Sequence, residues 1–184
     1  ISYTRIDDSA SQFHNLFYER LRAGWIDFQK VYLGFIEEEV IPKIKSKIEI
    51  YQTLPSYRIQ YPFSKAITTL HCDSDTNHKH PPGEINILVP ITTMKDSSAI
   101  WAESSPQAAD FKPMNCDYGE FYIWNGNKCR HYNKSNMTNS TRISMDFRIL
   151  PSEFYDHKYS EASATSSKKF IVGDYYSKFG EKDV

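Results

Sequence analysis

The sequence predicts an α+β domain in which an antiparallel, jelly-roll-like double sheet is buttressed on one face by N-terminal helices. Apolar residues recur at three- and four-residue steps between Ser11 and Ile41, which is the helical period. Short β-rich runs separated by turn residues follow Pro42. The connections between those runs are too short for crossover helices, so the strands are expected to pair antiparallel.

The helical region has one apolar stripe, formed by Phe13, Leu16, Phe17, Leu21, Trp25, Phe28, Tyr32, Phe35 and Ile36. Because Pro42 lacks a backbone N–H and clashes with the preceding turn, it discourages continuation of the helix. We expect one or two helices before it.

Six later segments combine β-branched and aromatic residues with turn residues at their ends. They are Tyr57–Tyr61, Ile67–Asp73, Glu84–Ile91, Ile100–Glu103, Glu120–Trp124 and Thr141–Leu150. No linker or internal repeat divides the chain. We therefore interpret residues 1–184 as one domain, with mainly helical support in 1–55, the jelly-roll core in 56–151 and a C-terminal extension in 152–184 that loops out and packs back.

Composition and net charge argue against some classes of binding partner. The 22 Lys and Arg against 23 Asp and Glu give a net charge of -1, so no positive field favours nucleic acid or an anionic membrane. No apolar run approaches the roughly 20 residues of a membrane helix. The odd number of cysteines, Cys72, Cys116 and Cys129, argues against a secreted disulfide framework. We expect a cytoplasmic protein acting on a small molecule; the oligomeric state and any residues before Ile1 stay open.

A metal-binding pattern begins at His71. Residues two apart in a strand project to the same side, so His71 and Asp73 can chelate one ion. The distant His131 can complete the two-histidine, one-carboxylate triad of non-haem iron(II) sites. Taken alone, the H-x-D tripeptide is common, and its ordinary interpretation is an imidazole hydrogen-bonded to a carboxylate.

The segment from Thr141 to Ile149 alternates strictly between polar and apolar residues. Arg142 follows His131 by eleven residues and shares a strand face with Ser144. A guanidinium fork beside a hydroxyl is a suitable receptor for the distal carboxylate of a dicarboxylate. The alternative is a half-exposed strand with a solvated polar side.

H-x-D, then a distant histidine, then R-x-S resembles the 2-oxoglutarate and iron(II)-dependent dioxygenase superfamily, over roughly residues 57–151. A wider set of segments is similar to StrG-like oxygenases of the streptomycin biosynthesis type: Gly83–Asn86, Trp101–Ser104, Gly119–Glu120, Gly126–Asn127, His131 and Arg142–Arg148.

This resemblance implies a double-stranded β-helix and the cofactors Fe(II), 2-oxoglutarate and O2. It also implies His71, Asp73 and His131 as iron ligands and Arg142 with Ser144 as the cosubstrate clamp. Hydroxylation, or a related oxidation such as desaturation, is expected rather than halogenation, because Asp73 fills the position that a halide would need.

Other polar residues are candidates to line the pocket. Asn86 shares the strand phase of Glu84, opposite apolar neighbours, and the equivalent strand of similar enzymes often adds a cosubstrate hydrogen bond. Candidate substrate contacts are Arg58, Gln60, Trp101, Glu103 and Asn127. The substrate is expected to be a small polar metabolite, amino-acid-like or sugar-like, whose identity depends on loop geometry.

Two alternatives remain. A classical cupin would bind metal through His78, His80, Glu84 and His131, although Pro81 and Pro82 favour a turn between the first ligands. A non-catalytic sugar-binding jelly roll would use the 15% aromatic content for stacking, but most aromatic residues fall in amphipathic elements where they serve the core.

Overall fold

The computed structural model describes residues 11–66, 68–164 and 166–180. Within these ranges two α-helices, α1 (Gln12–Arg22) and α2 (Ile26–Phe35), precede nine strands. The strands are β1 (Ile48–Gln52), β2 (Ser56–Gln60), β3 (Ile85–Pro90), β4 (Ile100–Ala102), β5 (Lys112–Pro113), β6 (Tyr122–Trp124), β7 (His131–Asn133), β8 (Arg142–Pro151) and β9 (Tyr176–Lys178). Neither helix is long and apolar enough to cross a bilayer.

The helical region forms two helices, as its periodicity allowed. The side chain of Ser11 caps α1 by accepting a hydrogen bond from a first-turn N–H. Gly24, with a φ of +80°, makes the turn into α2. One π-helical turn, Ile36–Val40, extends α2, and a 3-10 turn that contains Pro42 ends it.

The strands form two antiparallel sheets. The larger has the order β6-β3-β8-β1-β9, with β2 also paired to β8, and the smaller has the order β5-β4-β7. β8 is ten residues long and pairs with β1, β2 and β3. The prediction of helices combined with antiparallel sheets is confirmed.

The two faces of β8 differ in chemistry, since its side chains alternate. Phe147 and Ile149 pack with Tyr32, Ile36 and Val40 of the helical region in one buried apolar cluster. The Arg142, Ser144, Asp146 and Arg148 side chains line a cavity instead. The strand therefore joins the helix-backed core to a polar site.

Several boundaries differ from the sequence-based expectation. The predicted strand Ile67–Asp73 does not form in residues 68–73, and Ile67 lies outside the described residues. His71 makes an isolated bridge to His131 instead. On the His131 side of this bridge, the backbone turns sharply at residues 125–129, where the Cys129 N–H donates to the Asn125 carbonyl at 2.8 Å. The bridge therefore does not extend into a regular ladder.

Four strands were not predicted: β1, β5, β7 and β9. Three of them are only two or three residues long, too short for a period to be recognised. β1 falls within residues 1–55, predicted to be mainly helical, yet it pairs with both β8 and β9. Through β9 the C-terminal region packs back onto the larger sheet.

Candidate metal centre

Two histidines from distant parts of the chain meet through their backbones. The His71 N–H donates to the His131 carbonyl at 3.1 Å, and the His131 N–H donates to the His71 carbonyl at 2.7 Å. Residues that exchange both bonds lie directly opposite each other and project to the same side. Their ring centroids are consequently 4.3 Å apart.

Both imidazoles are held in the same tautomer. The Nδ1 of His71 donates to the Thr69 carbonyl at 2.8 Å, and the Nδ1 of His131 donates to the Cys129 carbonyl at 3.0 Å. A carbonyl only accepts, so the proton of each neutral ring lies on Nδ1 and the Nε2 lone pair is left for another partner. Burial lowers the pKa of His131 to about 4, which keeps this ring neutral.

One oxygen of Asp73 faces both rings. Its Oδ1 lies 3.6 Å from Nε2 of His71 and 3.5 Å from Nε2 of His131. The three side chains offer donor atoms that all lie within 4.8 Å of one another. Neighbouring ligands with bonds of about 2.1 Å to one ion lie about 3 Å apart, so the set suits a single metal ion.

The other oxygen of Asp73 is saturated by donors. Its Oδ2 accepts from Asn86 Nδ2 at 2.7 Å and from Arg148 Nε and Nη2 at 3.2 and 2.9 Å. Burial raises the pKa of this carboxyl, but Arg148 and His71 outweigh it and hold the pKa well below its usual value. Asp73 is thus ionised, with one oxygen committed to the protein and one directed at the imidazoles.

A row of alternating charges lies along the cavity wall, formed by Asp73, Arg148, Asp146 and Arg58. Arg148 Nη1 donates to Asp146 Oδ2 at 2.8 Å, and Arg58 Nε donates to Asp146 Oδ1 at 2.9 Å. Sequence reasoning selected Arg142 and Ser144 on this strand but missed Asp146 and Arg148. The signal was present, because strict alternation places all four side chains on one face of β8.

The candidate cosubstrate residues Arg142 and Ser144 are both buried on β8 and line the cavity. Arg142 Nη1 donates to the Ser98 carbonyl at 3.4 Å. The hydroxyl of Ser144 is buried without a hydrogen-bond partner among the described residues. A buried hydroxyl is normally paired, so this one fits a site that receives a polar ligand atom.

The cavity has a volume of about 890 Å³ and lies between the two sheets. The larger sheet contributes Asn86 and Trp124 besides the β8 residues, and the smaller sheet contributes Ile100 and His131. Thr68, Thr69 and Asn133 also line an adjoining apolar groove of about 530 Å³. The candidate metal-binding group therefore lies on the wall of a space large enough for a small molecule.

Asn86 was predicted to contact the cosubstrate. The structure places its Nδ2 on Asp73, while its Oδ1 is buried without a partner among the described residues. Gly126 packs directly on this amide, since a Cβ at that position would lie 2.8 Å from Asn86 Cγ. The close approach of Gly126 keeps the amide against Asp73, and a cosubstrate contact through Oδ1 remains a prediction.

The candidate substrate residues are distributed differently. Arg58 lines the cavity, whereas Gln60, Trp101, Glu103 and Asn127 are not among its described lining residues. Gln60 Nε2 donates to the Lys134 carbonyl at 2.8 Å, and Trp101 Nε1 donates to the Asp96 carbonyl at 2.9 Å. Both side chains therefore donate to backbone carbonyls of other segments.

Glu103 and Asn127 are engaged in a similar way. Arg130 donates hydrogen bonds to both carboxylate oxygens of Glu103 and lowers the pKa of that carboxyl to about 2. Asn127 Nδ2 donates to the Pro81 carbonyl at 2.9 Å. The structure thus gives each side chain a partner within the protein.

The four cupin-type residues are not brought to one point. His78 Nδ1 lies 2.8 Å from Asp75 Oδ1, and His80 Nδ1 lies 2.7 Å from Glu84 Oε2. Glu84 also accepts a hydrogen bond from Tyr176. Among the described residues, Glu84 and His80 group with Asp73, whereas His131 groups with His71 and Asp73.

No protein-family model matches the chain. The streptomycin biosynthesis protein StrG of Streptomyces griseus is 28% identical over 174 residues, which cover 94% of this chain and 79% of that protein. This similarity extends well beyond the motif region, from the helical part to the C-terminal part.

Three solved structures that align with part of this chain are the following. ThoJ, a non-haem monooxygenase in a nickel complex, has a TM-score of 0.47 at 12% identity and covers 62% of this chain and 50% of its own. The α-ketoglutarate-dependent carbocyclase SnoK of nogalamycin biosynthesis has 0.46 at 9%, covering 56% and 52%. CytC3, solved with Fe(II) and α-ketoglutarate, has 0.42 at 12%, covering 61% and 51%. This chain spans about half the length of each, and at TM-scores below 0.5 neither its fold nor its function follows from them.

Proposed function

We propose that this protein is a non-haem Fe(II) and 2-oxoglutarate-dependent oxygenase that hydroxylates a small polar metabolite. The observation that carries the proposal is the convergence of Nε2 of His71, Nε2 of His131 and Oδ1 of Asp73 on one point of the cavity wall. Two imidazoles and one carboxylate are the donor set of iron(II) oxygenases that keep coordination positions open.

The chain's residues have separate parts in this proposal. His71, Asp73 and His131 would hold Fe(II), which supplies the activation of O2 when bound. Arg142 would bind the distal carboxylate of 2-oxoglutarate by charge-assisted hydrogen bonds, and the unpartnered hydroxyl of Ser144 would add one more. The cavity would orient the substrate and exclude water.

Sequence similarity supports the same class. The likeness to StrG over 94% of the chain agrees with the StrG-like motifs of the sequence. We further propose that the two antiparallel sheets, with the cavity between them, correspond to the double-stranded β-helix implied by those motifs. Single-domain action on a small molecule in the cytoplasm belongs to the same proposal.

The test is Arg142→Leu. Since Arg142 would contact only the distal carboxylate, its loss should weaken 2-oxoglutarate by roughly ten- to a hundred-fold and leave Fe(II) affinity nearly unchanged. Anaerobic titrations of each ligand measure the two affinities, and succinate release measures turnover.

Arg130→Leu is the matched control. Arg130 is also paired within the protein, on Glu103, but it is not among the described residues that line the cavity. It should leave 2-oxoglutarate affinity unchanged. Equal affinities in wild type and Arg142→Leu would remove Arg142 from the cosubstrate site.

A further inference from the structure

The charges that line the cavity are unbalanced. Two carboxylates, Asp73 and Asp146, face five cationic side chains among the described lining residues: Arg22, Arg58, Arg142, Arg148 and Lys168. With histidines counted as neutral, the wall has a surplus of three positive charges, although the whole chain has a net charge of -1. The excess is therefore local to the cavity.

Neither carboxylate is left for a cationic group of the substrate, since Oδ1 of Asp73 is assigned to the metal ion. Asp73 accepts hydrogen bonds from Arg148 and Asn86, and Asp146 accepts hydrogen bonds from Arg58 and Arg148. An ammonium or guanidinium group in the substrate would be repelled by the surplus positive charge. It would also lose hydration without gaining a charged partner. The cavity therefore disfavours cationic substrates.

The proposed cofactors leave the surplus in place. Fe(II) would bring two positive charges and 2-oxoglutarate two negative charges, with Arg142 assigned to the latter. Arg148 is committed to the two aspartates. Arg58 is bonded to Asp146. Arg22 and Lys168 are the lining cations that remain to face a substrate.

These three side chains come from separate elements around the cavity. Arg22 lies in the last turn of α1, Arg58 lies on β2, and Lys168 follows two serines of the C-terminal region, Ser163 and Ser166, that also line the wall. Tyr18, another lining residue, lies near both arginines, and Cζ of Arg22 is 5.9 Å from the centroid of its ring. Burial and Asp146 raise the pKa of Tyr18, and the two guanidinium groups oppose that rise. Arg22 and Arg58 therefore lie on the same side of the cavity as Tyr18.

We propose that the substrate of this cavity carries an anionic group, a phosphate ester or a carboxylate, bound by the wall where Arg22 and Lys168 lie beside the Arg58–Asp146 pair. This proposal rests on the proposed function, because it names the substrate class of the same site. Arginine and lysine around a concave wall concentrate anions and strengthen their binding where water is partly excluded.

The test is anion binding by the full chain, followed by amide shifts in two-dimensional NMR spectra at low ionic strength. Inorganic phosphate is the probe in one arm, acetate in the second and methylammonium in the third. We expect saturable binding of an anion, tighter than that of methylammonium, and the tighter of the two anions indicates phosphate ester or carboxylate. Arg22→Gln and Lys168→Gln should each weaken it by about threefold or more.

Arg20→Gln is the matched control, since Arg20 lies two residues before Arg22 on α1 but is not among the described lining residues. It should leave anion binding unchanged. No saturable anion binding, equal binding of methylammonium, or equal weakening by Arg20→Gln would overturn the proposal. The measurement needs neither metal nor turnover, so a failure of the oxygenase assignment shows separately, as an absent iron and 2-oxoglutarate complex.

Discussion

Arg148 connects β8 to the proposed metal-binding carboxylate of Asp73. Its guanidinium bonds both Asp73 and Asp146, and it is buried. Arginine suits this place because its planar fork serves two acceptors at once, which a lysine does not do. We interpret Arg148 as a positioning residue that directs one oxygen of Asp73 at the imidazoles.

We expect Arg148→Gln to lower the affinity for Fe(II), or for Co(II) as a spectroscopic substitute, by about 10- to 100-fold, because residues that orient a metal ligand have effects of this size. The d–d spectrum of bound Co(II) should also change. Arg130→Gln, which breaks a comparable arginine–carboxylate pair on Glu103, is the control and should alter neither. An unchanged metal affinity in folded Arg148→Gln would make the Asp73–Arg148 pair purely structural.

For individual residues, sequence spacing indicated the candidate metal ligands but not the contacts that position them. His71 and Asp73 were paired from their positions two residues apart, but their proximity to His131 depends on a backbone bridge between segments sixty residues apart. The contact of Asn86 with Asp73 joins β3 to a turn, and no local pattern specifies that pairing. Such contacts follow from tertiary packing and not from periodicity.

Among the elements, long alternating strands were predicted well and short strands were not. The alternation of Thr141–Leu150 predicted β8 (Arg142–Pro151) to within one residue at each end. β7 and β9 have three residues each and are defined by their partners, β4 and β1. Their existence therefore depends on the sheet as a whole and is invisible in a local window.

A buried tyrosine of β9 is bonded to the region of the candidate metal centre. Tyr176 is fully buried and its hydroxyl donates to Glu84, which also bonds His80. Tyr176→Phe removes this donor from a buried carboxylate and should lower the free energy of unfolding by about 1–3 kcal/mol. Urea denaturation measures the change.

Tyr159→Phe is the matched control for that substitution. The hydroxyl of Tyr159 donates to the Lys79 carbonyl at 2.9 Å in an exposed position. Water replaces an exposed donor readily, so the loss should stay below about 0.5 kcal/mol. Equal losses in the two variants would contradict a structural role for the buried Tyr176–Glu84 bond.

For the whole molecule, composition and patterning predicted a domain with helices first and antiparallel sheets afterwards, and the two sheets enclose one large cavity on the polar side of β8. The net charge of -1 did not indicate the positive surplus of that cavity, because a total charge does not show which side chains lie together. The contribution of the C-terminal region to the wall, through Lys168 and Tyr175, was likewise absent from the sequence signal.

The most direct test of the proposed function is the absorption spectrum of the anaerobic protein with Fe(II) and 2-oxoglutarate. Joint binding of metal and keto acid in one complex gives a visible metal-to-ligand charge-transfer band, which we expect in wild type. We expect His71→Ala to lose the band and His80→Ala to keep it. Absence of the band in wild type, or its loss in His80→Ala with retention in His71→Ala, would contradict iron binding by His71, Asp73 and His131.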